Sequence, residues 1–340
     1  MTHDDEILDR PIPIDDECQR VRLHVRPGRH GRRLDVYLHA RYPHLSRTAV
    51  QRLIRQGSVT VNGQPAKPSH TMAAHDEVEL TLPAPEPIEV IPEEMPLEVL
   101  YEDADIIAIN KRADIVCHPA NRYQTGTLVN GLVHYANNLS HGSDPFRPGI
   151  VHRLDKNTTG VILIAKNDEA HWRLSLQFER RTVQKTYLAV VHGSPRLDSD
   201  VIDMPIGGHP IVREKFQVMV RDNKIDIGKP AVTGWEAIER FDGYTLVKLS
   251  PKTGRTHQLR VHMSHIGHPI VGDIMYGGRA ASDKEIAGSG SEEVFLRYQA
   301  LHAWKIEFQH PIREQRMEIE APFHAKLRHL MQLLRAHRSR

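Results

Sequence analysis

Between Leu45 and Ala66, Ala49, Val50, Leu53 and Ile54 fall on one helical face, while Arg47, Gln51 and Arg55 gather on the other with Arg52 beside them. Ser46 is a good N-cap, and Gly57 stands where a left-handed C-cap is expected. VTVNGQPA then alternates as a short strand and turns at Asn62-Gly63. Further along, EVLYEDADIIAINKR reads as a hairpin of Val99–Tyr101 and Ile106–Asn110. β-Branched and apolar runs recur at Gly160–Ala165, Tyr187–His192, Tyr244–Ser250 and Trp304–Phe308. Helical spacing appears at Thr127–Ala136, Asp168–Glu179, Thr256–His265 and Ala325–Ala336, with Thr256 as a possible cap. Strands outnumber helices and do not alternate with them, which predicts an α+β fold with a mixed, largely antiparallel sheet. The Gly/Ser/Ala-rich segment 279–293 reads as a mobile loop.

Charge divides the chain. Arg20 to Lys67 holds many basic residues and one acid, Asp35, whereas Pro68 to Asn110 holds no Lys or Arg and many acids. A basic module ahead of an acidic stretch suits a polyanion binder joined to something else. LPAPEPIEVIPEEMPLEV carries five prolines and reads as an extended connection. The expected organisation is an acidic tail (1–19), a basic module (20–82), a Pro/Glu-rich linker (83–95), a large second domain (96–325) and a basic C-terminal helix or tail (326–340).

With 39% apolar and 26% charged residues, the composition is that of a soluble globular protein. No stretch is long and apolar enough for a membrane helix, and the polar start MTHDDEILDR does not resemble a signal or transit peptide. Cys18 and Cys117 are too far apart in sequence to suggest a disulfide framework and fit a reducing cytoplasm. His262, His265 and His268 have a spacing of three, but Gly267 and Pro269 break the helix there and no Cys or nearby acid completes a zinc site. No metal is expected.

Two clusters carry candidate chemistry. GIVHRLDKNTTGVILIAKN places Asp155 between two cations, ahead of a Thr-Thr-Gly turn at a strand entrance; alone it also reads as a turn-capping carboxylate. SPKTGRTHQLRVHMSHIGHPIVGDIMYG packs Lys252, Arg255, His257, Arg260 and several more histidines into one span.

Residues 32–80, from RRLDVYLHARYPHLSRTAVQRLIRQGSVTVNG to HDEVEL, resemble the S-four RNA-binding domain. GIVHRLDKNTTG, RTVQKTYLAVVHG, LSPKTGRTHQLRVHMSHIGHPIVGDIMYG and LHAWKIEF, in that order, resemble the RluA family of pseudouridine synthases, over roughly residues 96–325. The preceding module fits the members that act on large-subunit ribosomal RNA. The resemblance implies a pseudouridine synthase fold, no cofactor, and Asp155 as the nucleophile that attacks the target uridine. It implies Arg255 as the guanidinium that keeps Asp155 ionised and aims it, and Tyr187 as the ring that stacks under a flipped-out base and can help take the proton from carbon five. Arg153 is a candidate to fill the gap left in the RNA. Arg47, Arg52, Arg55, Lys185 and His257 are candidate RNA contacts.

The expected partner is ribosomal RNA, free or in a pre-ribosomal particle, bound by a monomer. Transfer RNA is the alternative substrate, and a non-catalytic RNA-binding assembly factor is the alternative from another class. One departure stands out: in NKRADIVCHPA, Arg112 and Asp114 replace the Pro and Gly of a Lys-Pro-x-Gly turn common in the family.

Overall fold

The computed structural model describes residues 12–15, 20–27, 30–42, 47–81, 90–119, 123–136, 138–140, 142, 147–221, 224–225 and 228–339. The chain forms two compact units that divide between Ile88 and Glu89.

The first unit contains β1 (Ile12–Asp15), β2 (Arg20–His24), α1 (Leu34–Arg41), α2 (Arg47–Arg55), β3 (Val59–Val61), β4 (Gln64–Pro65) and β5 (Glu77–Thr81), with sheet order β1-β2-β5-β3-β4. The segment expected as a tail thus contributes an edge strand, because β1 pairs antiparallel with β2. Val50, Leu53 and Ile54 turn the apolar face of α2 into a core with Leu34, Leu38, Val59 and Val78. Gly57 takes the left-handed conformation at φ 81° that ends α2. Ser46, the expected cap, and the side chain of Ala49 lie outside the described residues.

The second unit begins with the hairpin β6 (Val99–Glu102) and β7 (Ile106–Lys111), followed by α3 (Leu128–Tyr135), β8 (Thr159–Ala165), α4 (Asp168–Glu179) and β9 (Gln184–His192). Next come β10 (Ser199–Asp203), the hairpins β11 (Ile206–Gly208)–β12 (Phe216–Val218) and β13 (Val220–Arg221)–β14 (Lys224–Ile225), then β15 (Val232–Phe241), β16 (Tyr244–Pro251) and α5 (Gln258–His265). The chain ends in β17 (Ala281–Ser282), α6 (Asp283–Ala287), β18 (Val294–Leu296), β19 (Leu301–Gln309), β20 (Arg316–Glu320) and α7 (Ala325–His337). The main sheet has the order β10-β15-β16-β9-β19-β8-β7-β6, with β20 on β19. Its pairings among the described residues are antiparallel except β19–β8, where His302 stands opposite Thr159.

Every residue of β8 is buried, which explains its unbroken apolar run: both of its faces are covered. Gly160 lies where β8 meets β19 so closely that a Cβ would come within 2.2 Å of the Ala303 carbonyl oxygen, and its φ is 111°. Two apolar clusters build the unit, one around β7, β8, α3 and α4, the other around β9, β16, α5 and α7; Tyr187 packs against both. Residues 279–293, expected as a mobile loop, instead hold β17 and α6. The Ser282 side chain accepts the Glu285 N–H, a helix-start signature present in the sequence SDKE. The helix expected at Ala325–Ala336 is present as α7, and its Leu327, Leu330, Met331 and Leu334 are buried.

Candidate active site

The HRLD run is fixed at three points before it presents Asp155. The His152 Nε2 accepts the Leu163 N–H at 2.9 Å and its ring stacks on Phe178 at 4.5 Å. Burial, aided by Lys185, pushes the His152 imidazole down to about 3, so it is neutral. Leu154 is bonded through its N–H and carbonyl to the Cys117 thiol at 3.4 and 3.3 Å. The Asp155 carbonyl accepts the Thr158 N–H at 3.0 Å, closing the turn into β8.

Beneath the turn lies Lys111, 1% exposed, whose ammonium donates to the carbonyls of Arg112, Ile115 and Lys156, each at 2.9 Å. Burial lowers its pKa to about 8, which leaves it protonated at neutral pH. The neighbouring loop closes although its usual glycine is missing. Asp114 takes the left-handed backbone itself at φ 69°, donates its N–H to Asn157 Oδ1 at 3.1 Å and holds Lys156 Nζ at 3.1 Å. Asp is among the residues that tolerate this conformation.

The facing wall is α5 and the loop before it. Gln258 organises that loop: its Oε1 accepts from Thr253 Oγ1 at 2.7 Å and from the Arg255 N–H at 3.0 Å. Its Nε2 donates to the Val232 carbonyl and to Thr233 Oγ1. Thr256 does not cap the helix, as the N-cap position belongs to His257 in a left-handed conformation at φ 57°. His257 Nδ1 lies 2.8 Å from Tyr276 Oη and its Nε2 4.0 Å from Asp155 Oδ2. Burial lowers its pKa against the opposing pull of Asp155. His262 spends its ring nitrogens on Thr233 and Met204.

The guanidinium beside Asp155 is that of Arg260, not of Arg255. Arg260 Nη1 is 3.6 Å from Asp155 Oδ2, while Nε and Nη2 bind Asp273 at 2.6 and 2.8 Å and the group lies 4.8 Å over the Tyr276 ring. Arg255 precedes the helix and its Nε donates to the Pro230 carbonyl at 3.1 Å. The helix turns Arg260, 7% exposed, into the protein. The signal available in the sequence was a charged residue on the buried face of α5, which requires a partner such as Asp273.

Asp155, Arg153, Tyr187, Lys185, Arg255, His257 and Arg260 line one cavity of about 560 Å³. Tyr187 and Lys185 stand two apart on β9 and therefore share a face. Burial, together with the charge of Asp155, holds the Tyr187 phenol well above its usual pKa. The remaining candidates lie in the first unit. Arg47 is bound to buried Asp35 at 3.1 Å, alongside Arg33 and Gln51, and Arg33 above all holds that carboxyl far below its usual range. Arg52 and Arg55 are exposed on α2.

Residues 105–265 match the family model described as RNA pseudouridylate synthase, and residues 32–78 match the S4 domain. An uncharacterized RNA pseudouridine synthase, YlyB, of Bacillus subtilis is 42% identical, over 89% of this chain and 94% of its own length. The ribosomal large subunit pseudouridine synthase D of Escherichia coli is 38% identical, over 94% of this chain and 96% of its own. Among solved structures, human RNA pseudouridylate synthase domain containing 1 aligns with a TM-score of 0.53 at 26% identity, covering 76% of this chain and 99% of that one. The class is therefore an isomerase that acts on RNA and carries a separate RNA-binding module. The chain belongs to the RNA pseudouridine synthase family. Among the described residues no helix is long and apolar enough to cross a membrane.

Proposed function

We propose that the chain isomerises uridine in large-subunit ribosomal RNA, with Asp155 as the nucleophile. The observation that carries this reading is the placement of the Asp155 carboxylate between Arg260 and His257, in a cavity that also holds Tyr187. A cavity of about 560 Å³ is of the size that receives a small organic group. A paired base cannot enter it, so the target must swing out at a cost of a few kcal/mol. The relatives from Escherichia coli and Pseudomonas aeruginosa named for the large ribosomal subunit support the substrate.

Asp155 attacks the anomeric carbon as the bond from nitrogen to the sugar breaks, the uracil turns in place, and its carbon five joins the anomeric carbon as the bond to Asp155 breaks and frees the carboxylate. Product and substrate are isomers, so the only proton lost, from carbon five, is balanced by one gained on the freed nitrogen. Arg260, fastened by Asp273, holds the carboxylate ionised and aimed. Tyr187 stacks on the uracil. Its raised pKa means that it keeps its own proton, which suits a stacking ring better than a proton acceptor. Arg153 fills the space the base leaves, Lys185 and His257 contact the nucleotide, and Arg52 and Arg55 bind phosphates from the S4 domain.

Large-subunit ribosomal RNA tritiated at carbon five of uridine tests the assignment. The protein should release tritium, and Asp155→Ala should abolish release while RNA binding stays near normal. Undiminished release by that variant would remove Asp155 from the mechanism; release from transfer RNA alone would overturn the substrate.

A further inference from the structure

Helix α4 passes into β9 through Arg180, Arg181, Thr182 and Val183. The Thr182 N–H bonds back to the Gln177 carbonyl at 3.0 Å and the Arg181 N–H to that of Phe178 at 3.2 Å. This crossed pair of bonds closes a helix through one left-handed residue, normally glycine. Here that residue is Arg181, at φ 59°. A side chain other than glycine costs about 1 kcal/mol at such a position.

The turn sends the two arginines in different directions. Arg181 lines the cavity of Asp155, whereas Arg180 lines a second cavity, of about 550 Å³, between α4 and the β19–β20 hairpin. Gln184 borders both. Both arginines are exposed, and among the described residues neither has an ion-pair partner. The second cavity also offers Arg173, whose acidic partners Glu169 and Glu314 are themselves 60% and 70% exposed and so hold it weakly. The carboxylates that line the second cavity, Glu307 and Glu314, are paired with Arg316 and Arg173, which leaves Arg180 as its unpaired charge among the described residues; with Arg181 at the ridge to the first cavity, this fits a polyanion that continues from one to the other.

We propose that the ridge from Arg180 to Lys185 is a track for single-stranded RNA next to the target nucleotide. Arg181 and Lys185 hold the phosphates that border the target, and Arg180 with Arg173 receives those further along in the second cavity. The proposal rests on the first cavity being the seat of the target nucleotide.

Full-length Asp155→Ala protein and fluorescein-labelled oligouridylates of three and nine nucleotides provide the test, since no turnover is involved. The longer probe should bind more tightly. Arg180→Gln should weaken it about three- to fivefold and leave the shorter one unchanged. Arg181→Gln should weaken both, and Arg181→Gly, which keeps the turn and removes the side chain, should do the same. Each loss should reduce the salt dependence of log Kd by about 0.7. Unchanged affinity for the longer probe in Arg180→Gln, or wild-type binding by Arg181→Gly, would overturn the track. These outcomes are independent of tritium release from ribosomal RNA, so the track and the proposed reaction can fail separately.

Discussion

Arg260 faces two carboxylates at once, gripping Asp273 with two nitrogens at 2.6 and 2.8 Å and presenting the third to Asp155 at 3.6 Å. The buried partner fixes the plane of the guanidinium, and Asp155 receives what remains of the fork. Arg260→Lys keeps the charge but cannot reproduce that geometry. It should lower single-turnover tritium release by about a hundredfold or more, with RNA binding little changed. Arg255→Ala should cost clearly less, and the opposite ranking would return the aiming role to Arg255.

A similar dependence on close geometry governs Gly160. Adding a methyl group there drives it into the Ala303 carbonyl and imposes a strained backbone. Gly160→Ala should lose about 2–3 kcal/mol of stability, read from the urea midpoint, and activity should fall with it because the Asp155 turn feeds directly into β8.

Stability should also depend on pH through buried imidazoles. Burial pushes His152 down to about 3 and His192 and His302 to about 4, while an unfolded histidine titrates near 6.5. Between those values the unfolded chain binds more protons, so stability rises with pH in that window and is lost as pH falls from 6.5 toward 4. Each histidine contributes a slope of up to about 1.4 kcal/mol per pH unit. Urea titrations at pH 7 and pH 5 should show the loss, and the histidines should add little change between pH 7 and pH 8.

In the S4 domain the three arginines of α2 should separate into two kinds. Reversing Arg52 and Arg55 should weaken RNA binding and reduce its salt dependence by about 0.7–0.9 per lost phosphate contact, with thermal unfolding unchanged. Arg47→Glu should lower the melting temperature, because it places a second carboxylate against buried Asp35. Equal effects of all three on melting would contradict the division.

Periodicity was sufficient for most of the architecture. Asp168–Glu179 is helical over the expected span, and the runs at Gly160, Tyr187, Tyr244 and Trp304 are strands that extend a few residues beyond their apolar cores. The largest misreading of local structure was 279–293, where glycine and serine content outweighed a helix-start signature. Chemistry was legible where it is local, as in the HRLD turn. Which arginine meets Asp155 was not, because that depends on which face of α5 turns inward, and Asp273, which holds Arg260, lies in a loop that carries no charge pattern of its own. Arg181 was equally hidden: a left-handed arginine leaves no trace in composition.

The parallel contact between β8 and β19 has a consequence for biosynthesis. Thr159 Oγ1 lies 2.7 Å from His302 Nδ1, across a separation of 143 residues. The strand that follows the Asp155 turn therefore has an open edge until β19 has been made. At ordinary synthesis rates of about 5–20 residues per second, that interval lasts roughly seven to thirty seconds. Such high contact order slows folding and leaves an apolar strand edge available for wrong pairing meanwhile. The sheet beside the Asp155 turn is thus incomplete until β19, at Leu301–Gln309, has left the ribosome.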